Sequence, residues 1–89
     1  MTQPAITIYT TLTCPFCIRA KGLLRDKNVQ FDEIDVGADP AVRAQMTQRA
    51  HGRRTVPQIF IGERHVGGCD DLFDLERQGK LDGLLAGAA

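Results

Sequence analysis

Hydrophobic and polar residues along the chain follow short patterns that predict strands alternating with helices. From Ala5 to Tyr9, isoleucines alternate with smaller or polar residues, which is the period of a β-strand. Apolar residues then recur at helical spacing from Cys17 to Leu24, and Pro15 suits a first helical position after Thr13 or Cys14. The stretch 29–36 is rich in Val, Phe and Ile and predicts a second strand with both faces partly covered.

A second helix and a hairpin are expected next. Asp39 and Pro40 form a typical helix start, and Gly52 ends the helical pattern that follows. Two short apolar runs, 58–61 and 65–66, flank a gap that contains Gly62. Runs spaced in this way predict two antiparallel strands joined by a tight turn.

The last part of the chain is expected to be helical. Gly67 and Gly68 interrupt the sheet, and a third helix is predicted from Asp70 to Gly79, followed by a short one over 81–85. Residues 87–89 should fray. The order βαβαββα predicts an α/β fold with a mixed four-stranded sheet and helices on both faces.

Composition narrows the class of protein. Eighty-nine residues suffice for one small domain, so residues 1–89 are expected to form a single unit. Eleven Lys and Arg balance eleven Asp and Glu, which disfavours nucleic acid and anionic membranes as partners. No apolar run reaches the roughly 20 residues of a membrane helix, and the start of the chain lacks a secretory pattern. A complete, cytoplasmic protein is therefore expected.

The strongest chemical signal is Cys14-Pro15-Phe16-Cys17. A cysteine at the start of a helix meets unpaired backbone N–H groups and the positive end of the helix dipole, which favour a thiolate. Cys14 is therefore the predicted nucleophile. Cys17, one turn further and beside apolar residues, is expected to stay protonated and to act as the resolving thiol.

Two other uses of this cysteine pair are possible. The same spacing can supply half of a zinc site, but the further candidates Cys69, His51 and His65 do not form a second close pair. Inert packing of both cysteines at a strand-to-helix junction would be an odd coincidence. Redox chemistry is therefore preferred, because a CxxC next to a βαβ pattern favours it, and no metal is expected.

Two further segments remain ambiguous when read from their residues alone. Pro57 precedes a strand, where base rates favour a trans bond and a plain strand-start role over an edge that pairs with a peptide. The segment 67–71 could bind a carboxylate through its N–H groups and an ammonium group through its two acids. Ordinary N-capping by Asp70 is the simpler interpretation of that segment.

Taken together, Cys14-Pro15-Phe16-Cys17, Thr55-Val56-Pro57 and Gly67-Gly68-Cys69-Asp70-Asp71 resemble a dithiol glutaredoxin of the bacterial type. The resemblance implies a thioredoxin fold, a cis bond before Pro57 and a groove for glutathione. It also implies a monomeric enzyme that uses glutathione as co-substrate and reduces protein–glutathione mixed disulfides and protein disulfides. A thioredoxin-like reductase and an iron–sulfur cluster-binding glutaredoxin are the alternatives.

The resemblance also implies roles for individual residues. Val56 would pair its backbone with the cysteinyl unit of glutathione, beside Thr55 and Pro57. The γ-glutamyl head would meet the helix start, and the glycyl carboxylate would meet a cation of the second helix. The residues implied for these contacts are Cys14, Phe16, Arg43, Thr55, Val56, Pro57, Gly68, Cys69, Asp70 and Asp71.

Two positions depart from the pattern of the family. Thr11 stands where a lysine is frequent, and Phe16 stands where a tyrosine is usual. Without that lysine, the helix terminus must supply more of the stabilisation of a Cys14 thiolate.

Overall fold

A four-stranded mixed sheet flanked by helices forms the centre of the molecule in a computed structural model, which describes residues 3–87. The elements in chain order are β1 (Ile6–Thr10), α1 (Pro15–Asp26), β2 (Asp32–Asp35), α2 (Pro40–Arg49), β3 (Gln58–Ile61), β4 (Arg64–Gly67), α3 (Cys69–Arg77) and α4 (Leu81–Leu85). The strand order is β2-β1-β3-β4, with β1 parallel to β2 and the other neighbours antiparallel. The predicted α/β architecture is confirmed.

Alternation along β1 and β3 divides the apolar side chains between two cores. On one face, isoleucines of both strands pack against α1, α3 and α4. The buried members of this larger core are Ile6, Ile8, Ala20, Leu24, Ile59, Ile61, Cys69, Leu72, Leu81 and Leu85. On the other face, Tyr9, Phe60 and Val36 pack against Met46 and Ala50 of α2 or its end. Helices therefore cover both faces, as predicted.

The second strand differs from its prediction. It covers only Asp32–Asp35, and three of its four residues are exposed, so the expectation of a longer strand with both faces partly covered is wrong. β2 lies at the edge of the sheet and pairs only with β1. The apolar residues that suggested the longer strand lie outside it: Phe31 packs against the larger core and Val36 belongs to the smaller one.

Helix starts follow the residues that cap them. Cys14 occupies the N-cap of α1 with Pro15 after it, and Asp39 Oδ1 caps α2 by accepting from the Ala41 N–H at 2.9 Å. The third helix begins at Cys69 with Gly68 at the N-cap, so the interpretation of Asp70 as its cap is wrong. The predicted start and end of this helix, Asp70 and Gly79, lie one and two residues beyond the observed ones.

Two remaining expectations concern the ends of the chain and membranes. Fraying was predicted for residues 87–89. Ala88 and Ala89 lie outside the described residues, whereas the Gly87 N–H donates to the Leu84 carbonyl at 3.2 Å. Among residues 3–87, no helix has the length and apolar character needed to cross a bilayer.

Candidate active site

Cys14 is the last residue of the loop between β1 and α1, and its sulfur caps the helix. Its backbone is extended (φ −92°, ψ 109°), and Sγ accepts a hydrogen bond from the Cys17 N–H at 3.1 Å. The Cys14 thiol also donates to the Val56 carbonyl oxygen at 3.7 Å. A backbone donor and the positive end of a helix therefore face this sulfur, and both favour negative charge on it.

Cys17 lies one turn into α1 and is only 1% exposed. Burial raises the pKa of the Cys17 thiol to about 12, and the hydrogen bond with the Cys14 side chain acts in the same direction. Cys17 is therefore a neutral thiol near pH 7, as its apolar neighbours predicted. Both thiols are free.

The turn before β3 carries the second motif. The Val56–Pro57 bond is cis, so the trans bond favoured by base rates is wrong and the cis bond implied by the resemblance is confirmed. Pro57 is buried, Val56 is half-buried against the smaller core and Thr55 is exposed. The Val56 carbonyl is thereby held next to Cys14 Sγ.

The start of α3 is built around the carboxylate of Asp71. Asp71 Oδ2 accepts from the Gly68 N–H at 2.8 Å and pairs with Arg53 Nη1 at 3.1 Å. The Gly68 hydrogen bond, followed by Arg53, holds the pKa of the Asp71 carboxyl below its ordinary value. Gly67 has φ +114°, and a Cβ there would lie 2.3 Å from Asp71 Oδ2. A glycine is therefore required beside this ion pair.

These three segments border one open groove of about 400 Å³. Its lining residues are Phe16, Arg53, Thr55, Val56, Pro57, Gly68, Cys69, Asp70 and Asp71. Phe16 is 54% exposed, in line with its predicted place at the site. Cys69 is buried in the larger core, where it packs as the expected small apolar residue, and burial raises the pKa of its thiol. A larger concavity of about 710 Å³, near the start of β1, is lined by no cysteine.

Arg43 is the one predicted site residue that the structure keeps apart from the others. Its Nη2 donates to the Arg54 carbonyl at 2.9 Å, and it borders a separate cavity of about 640 Å³ along α2. Arg53 lies in the groove instead. After α2 the chain reverses at His51 and Gly52, both with positive φ, and this reversal directs Arg53 towards Asp71.

Sequence reasoning gave no role to two residues behind the groove. Gln58 is fully buried and contacts both Thr55 and His65. His65 lies on the β3–β4 hairpin, as expected, but is half-buried. The available signal was a glutamine at the start of an otherwise apolar strand, since a buried amide needs hydrogen-bond partners.

Comparison with known proteins places this geometry in a family. The glutaredoxin family profile matches residues 6–66. A glutaredoxin of Pseudomonas aeruginosa is 59% identical over 84 residues, which cover 94% of this chain and 99% of that protein.

Solved structures agree with the sequence match. The solution structure of a glutaredoxin from Brucella melitensis is 53% identical, with a TM-score of 0.87 over 100% of this chain and 96% of that one. The crystal structure of a buckwheat glutaredoxin–glutathione complex is 31% identical, with a TM-score of 0.87 over 96% of this chain and 79% of that one. The expected thioredoxin fold is confirmed, and the chain belongs to the glutaredoxin family of glutathione-dependent thiol–disulfide oxidoreductases.

Proposed function

We propose that this enzyme reduces protein–glutathione mixed disulfides and protein disulfides, with Cys14 as nucleophile, Cys17 as resolving thiol and glutathione as co-substrate. The observation that carries the proposal is the placement of Cys14 Sγ. It accepts from the Cys17 N–H at 3.1 Å and lies 3.7 Å from the Val56 carbonyl at the groove. A sulfur that caps a helix beside a peptide-sized groove is suited to attack a disulfide whose other half is a peptide.

The reaction on a mixed disulfide needs only Cys14. Its thiolate attacks the glutathione sulfur, a Cys14–glutathione disulfide forms, and the protein thiolate leaves and takes up a proton. A second glutathione thiolate then attacks the glutathione sulfur of this adduct. Oxidised glutathione leaves and the Cys14 thiolate is restored. One half of the oxidised glutathione comes from the substrate, so each turnover consumes one free glutathione as reductant.

A protein disulfide requires both cysteines. Cys14 first forms a mixed disulfide with one protein sulfur and releases the other as a thiolate. Cys17 then loses its proton and attacks Cys14 Sγ, which releases the second protein thiolate and closes the 14–17 disulfide. Two glutathione molecules reduce that disulfide. The raised pKa of Cys17 keeps it protonated until this step, so it does not compete as a nucleophile.

The groove supports a specific pose for glutathione. The Val56 backbone would pair with the cysteinyl unit, as in strand addition, beside Thr55 and Pro57. The start of α3, beside Gly68, would bind the γ-glutamyl carboxylate through the Cys69 N–H, because the Gly68 N–H already donates to Asp71 Oδ2.

Charged side chains complete this pose. Asp70 and Asp71 would hold the γ-glutamyl ammonium group. Arg53 would bind a carboxylate of the ligand. Arg43 cannot take this role, because it lies outside the groove. Phe16 would cover one side of the ligand. A similar protein, the buckwheat glutaredoxin, was solved as a complex with glutathione.

The proposal extends to the setting of the enzyme. We expect one domain over residues 1–89 that acts as a monomer in the cytoplasm, without nucleic acid or membrane partners and without a metal. The balanced charge of the chain and an odd number of cysteines, too few for a secreted disulfide framework, support this setting.

The roles of the two cysteines are tested by two matched serine substitutions. Cys14→Ser should abolish both the release of glutathione from a glutathionylated protein and the reduction of a protein disulfide. Cys17→Ser should retain the first activity and lose the second. Equal loss of both activities in the two variants would contradict the assignment. Turnover that requires a flavoprotein reductase in place of glutathione would favour the thioredoxin-like alternative. A protein that is coloured when purified without air would favour the iron–sulfur cluster-binding alternative.

A further inference from the structure

A buried glutamine lies directly behind the groove. Gln58, the first residue of β3, has no solvent exposure. Its Nε2 donates to Thr55 Oγ1 at 3.2 Å, and its Oε1 is 2.6 Å from His65 Nε2. A buried amide is costly unless it is hydrogen-bonded, so these two contacts fix the orientation of the side chain.

The directions of these hydrogen bonds follow from the groups involved. The amide nitrogen of Gln58 faces Thr55, so the oxygen that faces His65 can only accept, and His65 Nε2 must carry the hydrogen. Thr55 Oγ1 accepts from the amide, which leaves its own hydroxyl hydrogen for another acceptor. Because Thr55 lines the groove, that acceptor can be a bound ligand.

His65 is itself held in place from two sides. Its ring stacks on Phe60, with centroids 4.9 Å apart and an interplanar angle of 24°, and the two residues are partners across β3 and β4. The His51 ring lies 5.5 Å away. The imidazole therefore presents Nε2 to Gln58 from a rigid position. Gln58, held in turn by His65, fixes the orientation of the Thr55 hydroxyl.

We propose that His65 and Gln58 are positioning residues that orient the Thr55 hydroxyl as a hydrogen-bond donor to an oxygen of glutathione. Neither residue lines the groove, and both act through Thr55. The inference rests on the proposed function, because it assigns this donor to the glutathione half of the substrate. It predicts an effect on the binding of that half and little effect on the chemistry at Cys14.

The first test uses two substitutions of His65. His65→Leu removes the donor to Gln58, whereas His65→Gln keeps an amide nitrogen that reaches as far as Nε2. With a glutathionylated peptide as substrate, His65→Leu should raise KM about fivefold, the value of one ordinary hydrogen bond, and change kcat by less than about twofold. His65→Gln should restore KM. A general structural role would instead lower kcat and would not be rescued.

A double variant tests whether His65 acts on KM through Thr55. Thr55→Val alone should raise KM about as much as His65→Leu does, and combining the two should raise it no further. Effects that multiply in the double variant would overturn the inference, as would an unchanged KM in His65→Leu. Wild-type protein without glutathione-dependent activity would instead overturn the proposed function.

The second test reverses the direction of the hydrogen bond between the side chains of Gln58 and Thr55. The carboxylate introduced by Gln58→Glu can only accept, so it would take up the Thr55 hydroxyl hydrogen and again raise KM about fivefold. Gln45→Glu, on an exposed face of α2, adds the same charge and should leave KM unchanged. A KM in Gln58→Glu equal to that of wild type would contradict the proposed direction. If Gln58→Glu does not fold, the His65 pair decides.

Discussion

Three cysteines of one small chain lie in different surroundings, and their reactivities should differ accordingly. Cys17 and Cys69 are buried, and burial is the main reason that the pKa of each thiol is raised. Cys14 is also buried, at 9% exposure, but it receives a hydrogen bond from a backbone N–H at the start of α1. Because the thiolate is the nucleophile, labelling by an alkylating agent reports this difference directly.

We predict that iodoacetamide modifies Cys14 alone near pH 7. Burial raises the pKa of the Cys17 thiol to about 12, so this thiol stays protonated and unreactive near pH 7. Peptide mass spectrometry after short labelling measures the site. Cys14→Ser is the control and should remain unlabelled over the same time. Labelling of Cys17 at a rate similar to Cys14 would contradict the prediction.

Gly67 lies beside the ion pair of Arg53 and Asp71. In Gly67→Ala, the new methyl group would meet Asp71 Oδ2 and Arg53 Nη1 at a positive φ, so we expect a loss of about 1–3 kcal/mol in unfolding free energy and a higher KM for glutathionylated substrate. Gly22→Ala is a matched control, because its Cβ would meet nothing within 4 Å and it lies inside α1. It should stabilise the protein by about 0.5–1 kcal/mol. Urea denaturation compares the two, and equal effects would contradict the argument.

The start of α3 combines a structural and a binding role. Asp71 closes the first turn through the Gly68 N–H and pairs with Arg53 across the groove. Its carboxyl pKa is therefore lower in the folded chain than in the unfolded chain. The stabilisation that follows is fully present above the ordinary pKa of 3.8 and is lost as the pH falls below it.

We predict that the difference in unfolding free energy between wild type and Asp71→Asn shrinks as the pH falls from about 7 to about 3. The difference should not exceed about 1 kcal/mol, since the Asp71 side chain is 43% exposed and solvent screens the charge. Asp70→Asn is the matched control, because it removes the same charge from the same turn and leaves the bonds of Asp71 to Gly68 and Arg53 intact. A difference for Asp71→Asn that grows towards low pH would contradict the assignment.

The elements also show why part of the site could be predicted from the sequence. Cys14 and Pro15 are local signals of a helix start, and the structure has the helix start there. The cis bond at Pro57 and the common groove depend on contacts between distant segments, so only the resemblance to a family anticipated them. Arg43 and Arg53 look equivalent in the sequence, and the chain reversal at His51 and Gly52 separates them.

The two cores support different parts of the site. The larger core joins α1, α3 and α4 to the sheet, and so fixes Cys14 and the start of α3. The smaller core holds α2 mainly through Met46 and Ala50, while Arg49 stacks on Phe60 at 4.0 Å. Because α2 leads into the segment that carries Arg53 and Thr55, the smaller core governs the other side of the groove.

This division predicts a contrast between two core substitutions. Met46→Ala and Leu72→Ala each remove a fully buried side chain and should each cost about 2–5 kcal/mol of unfolding free energy. Hydrogen exchange should nevertheless differ, because a helix held by few buried contacts can open without the rest of the protein. Met46→Ala should speed exchange in α2 more than in β1 and β3, whereas Leu72→Ala should leave α2 no more affected than the sheet. Uniform acceleration in both variants would mean that the two cores open as one, and that α2 does not move independently of the cysteine pair.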